Sequence, residues 1–68
     1  MGIETREKQC VAINGFDARG AFVGHASRVR RRWSVYEGGI FRRYKTRGEA
    51  EGRLRSMGAV EIREAAWF

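Results

Sequence analysis

The chain has 68 residues, a formal net charge of +6, a pI of about 10.7 and 43% hydrophobic content. That length accommodates one domain, whose core supplies roughly 3–5 kcal/mol, so a buried catalytic cleft with its own supporting shell is not expected. The composition is not that of a disordered chain, and no run approaches the roughly 18 apolar residues of a membrane helix.

Residues 1–7 are polar and acid-rich, which predicts a flexible arm ahead of a single domain over 8–68. Lys8 to Phe16 reads as a strand around the apolar run Cys10, Val11, Ala12 and Ile13. Asp17 to Gly20 reads as a four-residue hairpin loop, because aspartate can bond its own backbone and glycine takes positive φ. Ala21 to His25 returns as the second strand. Arg28 to Arg32 is a basic run. Trp33 to Glu37 and Ile40 to Lys45 then form a hairpin about Gly38-Gly39.

Thr46-Arg47-Gly48-Glu49 has capping-box spacing and predicts a helix start, with Thr46 as N-cap. Ala50, Leu54 and Met57 make one apolar stripe, and Gly58 marks the end. Gly52 is a candidate for close approach of helix and sheet. Val60 to Arg63 alternates as a last strand. Trp67 and Phe68 are expected either to dock on the core or to contact a partner. The order ββββαβ predicts an α+β fold, two layers deep, with one helix on one face of an antiparallel sheet.

Cys10 is the single cysteine and His25 the single histidine. Neither an internal disulfide nor a four-ligand zinc site can be built from them. No signal peptide is read, and a free thiol suits a reducing compartment, so the expectation is a cytoplasmic protein with no cofactor. The loop Asp17–Gly20 would pair Ala12 with His25 and put Cys10 diagonal to the imidazole, roughly 7–8 Å away. That is too far for a nucleophile–base hydrogen bond, and no phosphate loop, carboxylate pair or metal motif is present. Catalysis is not expected.

Charge carries more information. Residues 28–47 hold Arg28, Arg30, Arg31, Arg32, Arg42, Arg43, Lys45 and Arg47 against Glu37 alone, a local charge of +7. A face kept charged only for solubility would mix its signs and use lysine. Here the signs are segregated and 12 of 14 basic residues are arginine, whose fork suits phosphates and base edges.

Pairing across Gly38-Gly39 puts Trp33, Val35, Ile40, Arg42 and Tyr44 on one face of the hairpin. Arg32, Ser34, Tyr36, Phe41, Arg43 and Lys45 fall on the other. The first face suits the helix stripe. The second joins arginines, which neutralise phosphates, to aromatics, which stack on bases, and is the candidate binding surface. Tyr36 and Phe41 are also a cross-strand pair that would stabilise the hairpin.

Trp33 to Met57 resembles the amino-terminal arm-binding domains of tyrosine recombinases and the ethylene-response-factor type of DNA-binding domain. The likeness lies in Trp33-Ser34-Val35-Tyr36, a glycine turn, a basic strand, and the opening Thr46-Arg47-Gly48-Glu49-Ala50-Glu51. It implies a sheet face that enters the DNA major groove, and it implicates Arg28, Arg30, Arg32, Trp33, Arg43 and Lys45. An extra strand after Gly58 and a short helix depart from that pattern. The function expected is nucleic-acid binding, with DNA ahead of RNA. The alternative is a phage or mobile-element protein that inhibits a host complex by meeting an acidic protein surface or a ribonucleoprotein, anchored by Trp67 and Phe68.

Overall fold

A computed structural model of the chain describes residues 9–68. The flexible arm expected at 1–7, and Lys8 of the first expected strand, lie outside the described residues. Five strands and one helix follow in the order β1 (Cys10–Phe16), β2 (Phe22–Val29), β3 (Arg32–Glu37), β4 (Ile40–Tyr44), α1 (Arg47–Ser56) and β5 (Glu61–Trp67). All strand pairings are antiparallel, and the sheet runs β4-β3-β2-β1-β5. The chain meanders through four neighbours, and α1 then carries it across one face to place β5 beside β1. This is the α+β arrangement predicted from the sequence.

The β3–β4 register is the expected one: Trp33 faces Tyr44, Ser34 faces Arg43, Val35 faces Arg42, Tyr36 faces Phe41 and Glu37 faces Ile40. Gly38 and Gly39 take φ of 55° and 92°, which a two-residue hairpin turn requires. Three expectations need correction. The β1–β2 loop has five residues, Asp17 to Ala21, because Asp17 Oδ1 accepts from both Arg19 N and Ala21 N at 2.9 Å. A bulge at Gly15/Phe16 accompanies it, so His25 faces Asn14 and not Ala12. Next, β2 continues through Arg28 and Val29, and the basic run is a second tight hairpin. Its turn residues, Arg30 and Arg31, have φ of 50° and 71°. Finally, β5 runs on to Trp67, but the two terminal aromatics do not dock on the core: Trp67 is 50% exposed and Phe68 95%.

The core is small and continuous. Ile13, Ala26, Trp33 and Val35 from the sheet meet Ala50, Leu54 and Ala59 from the helix and its exit. Thr46 Oγ1 accepts from Glu49 N at 3.2 Å, as the capping spacing predicts. The helix ends in a Schellman arrangement: Ala59 N donates to Leu54 O and Gly58 N to Arg55 O, both at 3.0 Å, with Gly58 at φ 113°. Close approach to the sheet is permitted not by Gly52, which has nothing within 4 Å of its missing side chain, but by Gly15 and Gly24. A Cβ at Gly15 would lie 2.9 Å from Ala59 Cβ, and one at Gly24 2.9 Å from Leu54 Cδ2.

Two ion-pair clusters hold the polar flanks of α1. Arg53 reaches Glu37 of β3 at 2.5 Å, where Arg42 and the Tyr44 hydroxyl also converge at 3.7 and 3.4 Å. Arg47 bridges Glu51 and Glu64 of β5, each at 2.7 Å. The Arg53 guanidinium holds the Glu37 carboxyl below its ordinary value, and Arg47 does the same to Glu64.

Candidate nucleic-acid interface

Alternation along each strand decides what the face opposite α1 displays. Ile13, Ala26 and Val35 form one rung under the helix, so the neighbouring rungs point the other way. One of these is Asn14–His25–Tyr36–Phe41, continued by Arg63 of β5. The next is Ala12–Ser27–Ser34–Arg43. Beyond it, Val29 faces Arg32. A strip of small side chains thus lies between a row of ring-bearing groups and a basic margin.

The strip is the floor of a groove of about 690 Å³, lined by Ser27, Val29, Arg30, Arg32, Ser34, Phe41 and Arg43. Its half-buried members are Ser27 and Ser34, and its exposed ones include Phe41 and three arginines. The Tyr36 and Phe41 rings sit 5.1 Å apart at 60°, with 43% and 64% of their residues' surface exposed. His25 Nδ1 and Asn14 Oδ1 are 2.7 Å apart in the same row. At the far end Arg63 lies 4.6 Å over the Phe16 ring and is paired with Glu61.

The structure divides the basic block of residues 28–47. Arg42 and Arg47 belong to the ion pairs that fasten the helix. Among the described residues, Arg30, Arg31, Arg32, Arg43 and Lys45 have no carboxylate partner, and all five are exposed. On β2, β3 and β4 the open face carries no acid. Among the described residues, positive charge is therefore uncompensated where the groove lies.

Of the residues singled out from the sequence, Arg32, Tyr36, Phe41 and Arg43 share the open face. Arg30 and Arg31 stand at the hairpin tip beside it, and Lys45 follows β4 at its margin. Two belong elsewhere. Trp33 is 5% exposed and packs into the core, so it is not available to a partner. Arg28 pairs with Trp33 across β2–β3, on the helix side, and donates to Gln9 Oε1 at 2.9 Å. Trp67 and Phe68 lie on β5 and just beyond it, at the opposite edge of the sheet from β4.

Sequence reasoning missed the Arg30-Arg31 turn, the Ser27–Ser34 floor and the Asn14–His25 pair. The Asn14–His25 pair depends on the loop and bulge between β1 and β2, and the Ser27–Ser34 pair on the Arg30-Arg31 turn, whose positive φ no glycine or asparagine announces. Cys10 packs against the core, with its thiol donating to Ala12 O at 3.2 Å. Burial pushes that thiol above its ordinary pKa, which suits a packing role. Among the described residues no three histidine, cysteine, aspartate or glutamate side chains cluster as metal ligands, and no helix is long and apolar enough to cross a membrane. No protein-family model, curated protein or solved structure matches the chain.

Proposed function

We propose that this chain is a small nucleic-acid-binding module, without catalytic activity, that uses the open face of its sheet. The observation that carries the reading is the groove: Arg30, Arg32 and Arg43, none with a carboxylate partner among the described residues, rim it beside the exposed Tyr36–Phe41 pair. Guanidinium groups neutralise phosphates, exposed rings accept bases or sugars, and serine hydroxyls donate to phosphate or sugar oxygens. The resemblance of Trp33 to Met57 to sheet-based DNA-binding domains favours DNA over RNA. The five basic side chains without a carboxylate partner among the described residues imply a log–log salt slope of about −4 to −5 on duplex and about −3.5 on single strands.

Fluorescence anisotropy with labelled duplex DNA, single-stranded DNA and RNA at two salt concentrations tests this. Absence of binding at low salt to all three would sink the reading.

Trp67 and Phe68 favour a second reading, because two large aromatics at 50% and 95% exposure are the side chains that anchor protein interfaces. In that reading the chain, as a phage or mobile-element product, inhibits a host ribonucleoprotein or binds an acidic protein surface.

A further inference from the structure

We infer that the open face takes a single-stranded nucleic acid in preference to a duplex, an inference that rests on the nucleic-acid reading above. The width of the face is the first reason. Five adjacent strands span about 19 Å at the usual strand spacing. The DNA major groove is about 12 Å wide and admits a helix or a two-stranded ribbon. The hairpin that resembles major-groove readers is not free-standing here: β2, β1 and β5 extend the same sheet beside it. A rigid duplex laid across the full width of this face meets it mainly along its phosphates.

The arrangement of the groups is the second reason. Phe41, Tyr36 and His25 occupy successive strands in one row, so they follow a path across the strands. The rung beside them offers Arg43, Ser34 and Ser27, and the groove opens there. A chain lying along this direction puts bases on the rings while its phosphates meet Arg43, Arg32 and Arg30. Only an unpaired base exposes the π-face that Phe41, at 64% exposure, can cover. In a duplex those faces are stacked inside the helix, and the exposed rings would add nothing.

The test compares oligothymidylate, oligouridylate and a mixed-sequence duplex, each of about 16 nucleotides per strand, at one salt concentration. Either single strand should bind at least about tenfold more tightly than the duplex, and oligodeoxyuridylate set against oligouridylate, which share a base, identifies the sugar preferred. Phe41→Leu keeps apolar bulk but removes the ring. It should cost about fivefold to a hundredfold on the single strand and leave duplex binding unchanged. Phe41→Trp should restore the affinity, with indole fluorescence quenched on binding. Circular dichroism verifies that each variant is folded.

Duplex binding as tight as single-strand binding would overturn the preference while leaving the nucleic-acid reading intact. A folded Phe41→Leu with undiminished single-strand affinity, or Phe41→Trp without quenching, would overturn stacking as its cause. Failure of all three probes to bind wild type removes the nucleic-acid reading itself.

Discussion

Gly15 faces Gly24 across the β1–β2 ladder, and Leu54 of the helix lies against the space both lack, 3.4 Å from a Cβ at Gly15 and 2.9 Å from one at Gly24. This glycine rung seats α1 on one side of the sheet, which leaves the opposite side, with its arginines and rings, uncovered. The two sheet glycines under the helix and Gly52 within it therefore separate by what a methyl group would meet. Gly15→Ala brings its methyl group 2.9 Å from the Cβ of Ala59, which cannot swing away, and should destabilise by about 1–3 kcal/mol. Gly24→Ala meets the flexible ends of Leu54 and Met57 and should cost less. Gly52→Ala, in an open helical position, should stabilise by about 1 kcal/mol. Chemical denaturation of the three variants checks the order. A stabilised Gly15→Ala would contradict this helix seat.

The turn at Arg30-Arg31 sets stability against binding. Both residues hold positive φ, 50° and 71°, where an L-residue with a Cβ costs about 1–2 kcal/mol and Asn-Gly is preferred. Replacing the pair by Asn-Gly should raise Tm, by about 4–8 °C per kcal/mol recovered, while it weakens nucleic-acid binding. Thermal melts beside anisotropy read both effects. A variant that gains stability and keeps full affinity would show that the tip does not touch the ligand.

The arginines of the two faces should behave as different classes. Arg32→Ala and Arg43→Ala, on the open face, should each reduce the salt slope by about one and leave Tm little changed. Arg53→Ala breaks the contact with Glu37 at 2.5 Å across the helix face, so it should lower Tm and leave the salt slope unchanged. If Arg53→Ala alone altered the slope, the ligand would lie on the helix side.

Acid should loosen the helix. Glu37 and Glu64 have carboxyls held below their ordinary value by Arg53 and Arg47 respectively. A depressed carboxylate contributes stability that is fully present above its unfolded pKa and is lost as pH falls through the folded one. Stability should thus be level above about pH 5 and decline below about pH 4. Glu37→Gln should be less stable at neutral pH and show a shallower decline in acid. Denaturation midpoints across that range measure it, and an unchanged acid slope in the variant would remove Glu37 from the explanation.

The terminal aromatics discriminate between partners. Trp67→Ser with Phe68→Ser keeps the backbone pairing of Phe68 with Gln9 and removes one half-exposed and one fully exposed ring. The folded variant should keep full nucleic-acid affinity. Loss of that affinity with the fold intact would move the interface to β5.

The sequence reading succeeded where local rules act alone. Glycines at 38 and 39 fix the β3–β4 turn, and alternation then assigns Val35 to the core and Tyr36 to the open face. Thr46, Glu49 and Gly58 bound the helix by capping chemistry. It failed where distant parts of the chain decide. Asp17 draws Ala21 into its loop through one side-chain oxygen, and this resets the partner of His25. Two arginines occupy a turn that propensity assigns to asparagine and glycine, so β2 looked shorter than it is. Trp33 was attractive by resemblance, yet its place opposite Tyr44 under the helix removes it from any surface. Segregated charge singled out residues 28–47, but only the ion pairs of Glu37 and Glu64 show which of its arginines are already occupied.

The most direct test of the open-face interface is a two-dimensional NMR titration of the isotopically labelled protein with a short oligonucleotide. Shift changes should concentrate on Ser27, Arg32, Ser34, Tyr36, Phe41 and Arg43, with the buried face and α1 nearly silent. Changes centred on Arg47 to Ser56, or confined to Trp67 and Phe68, would contradict binding through the open sheet.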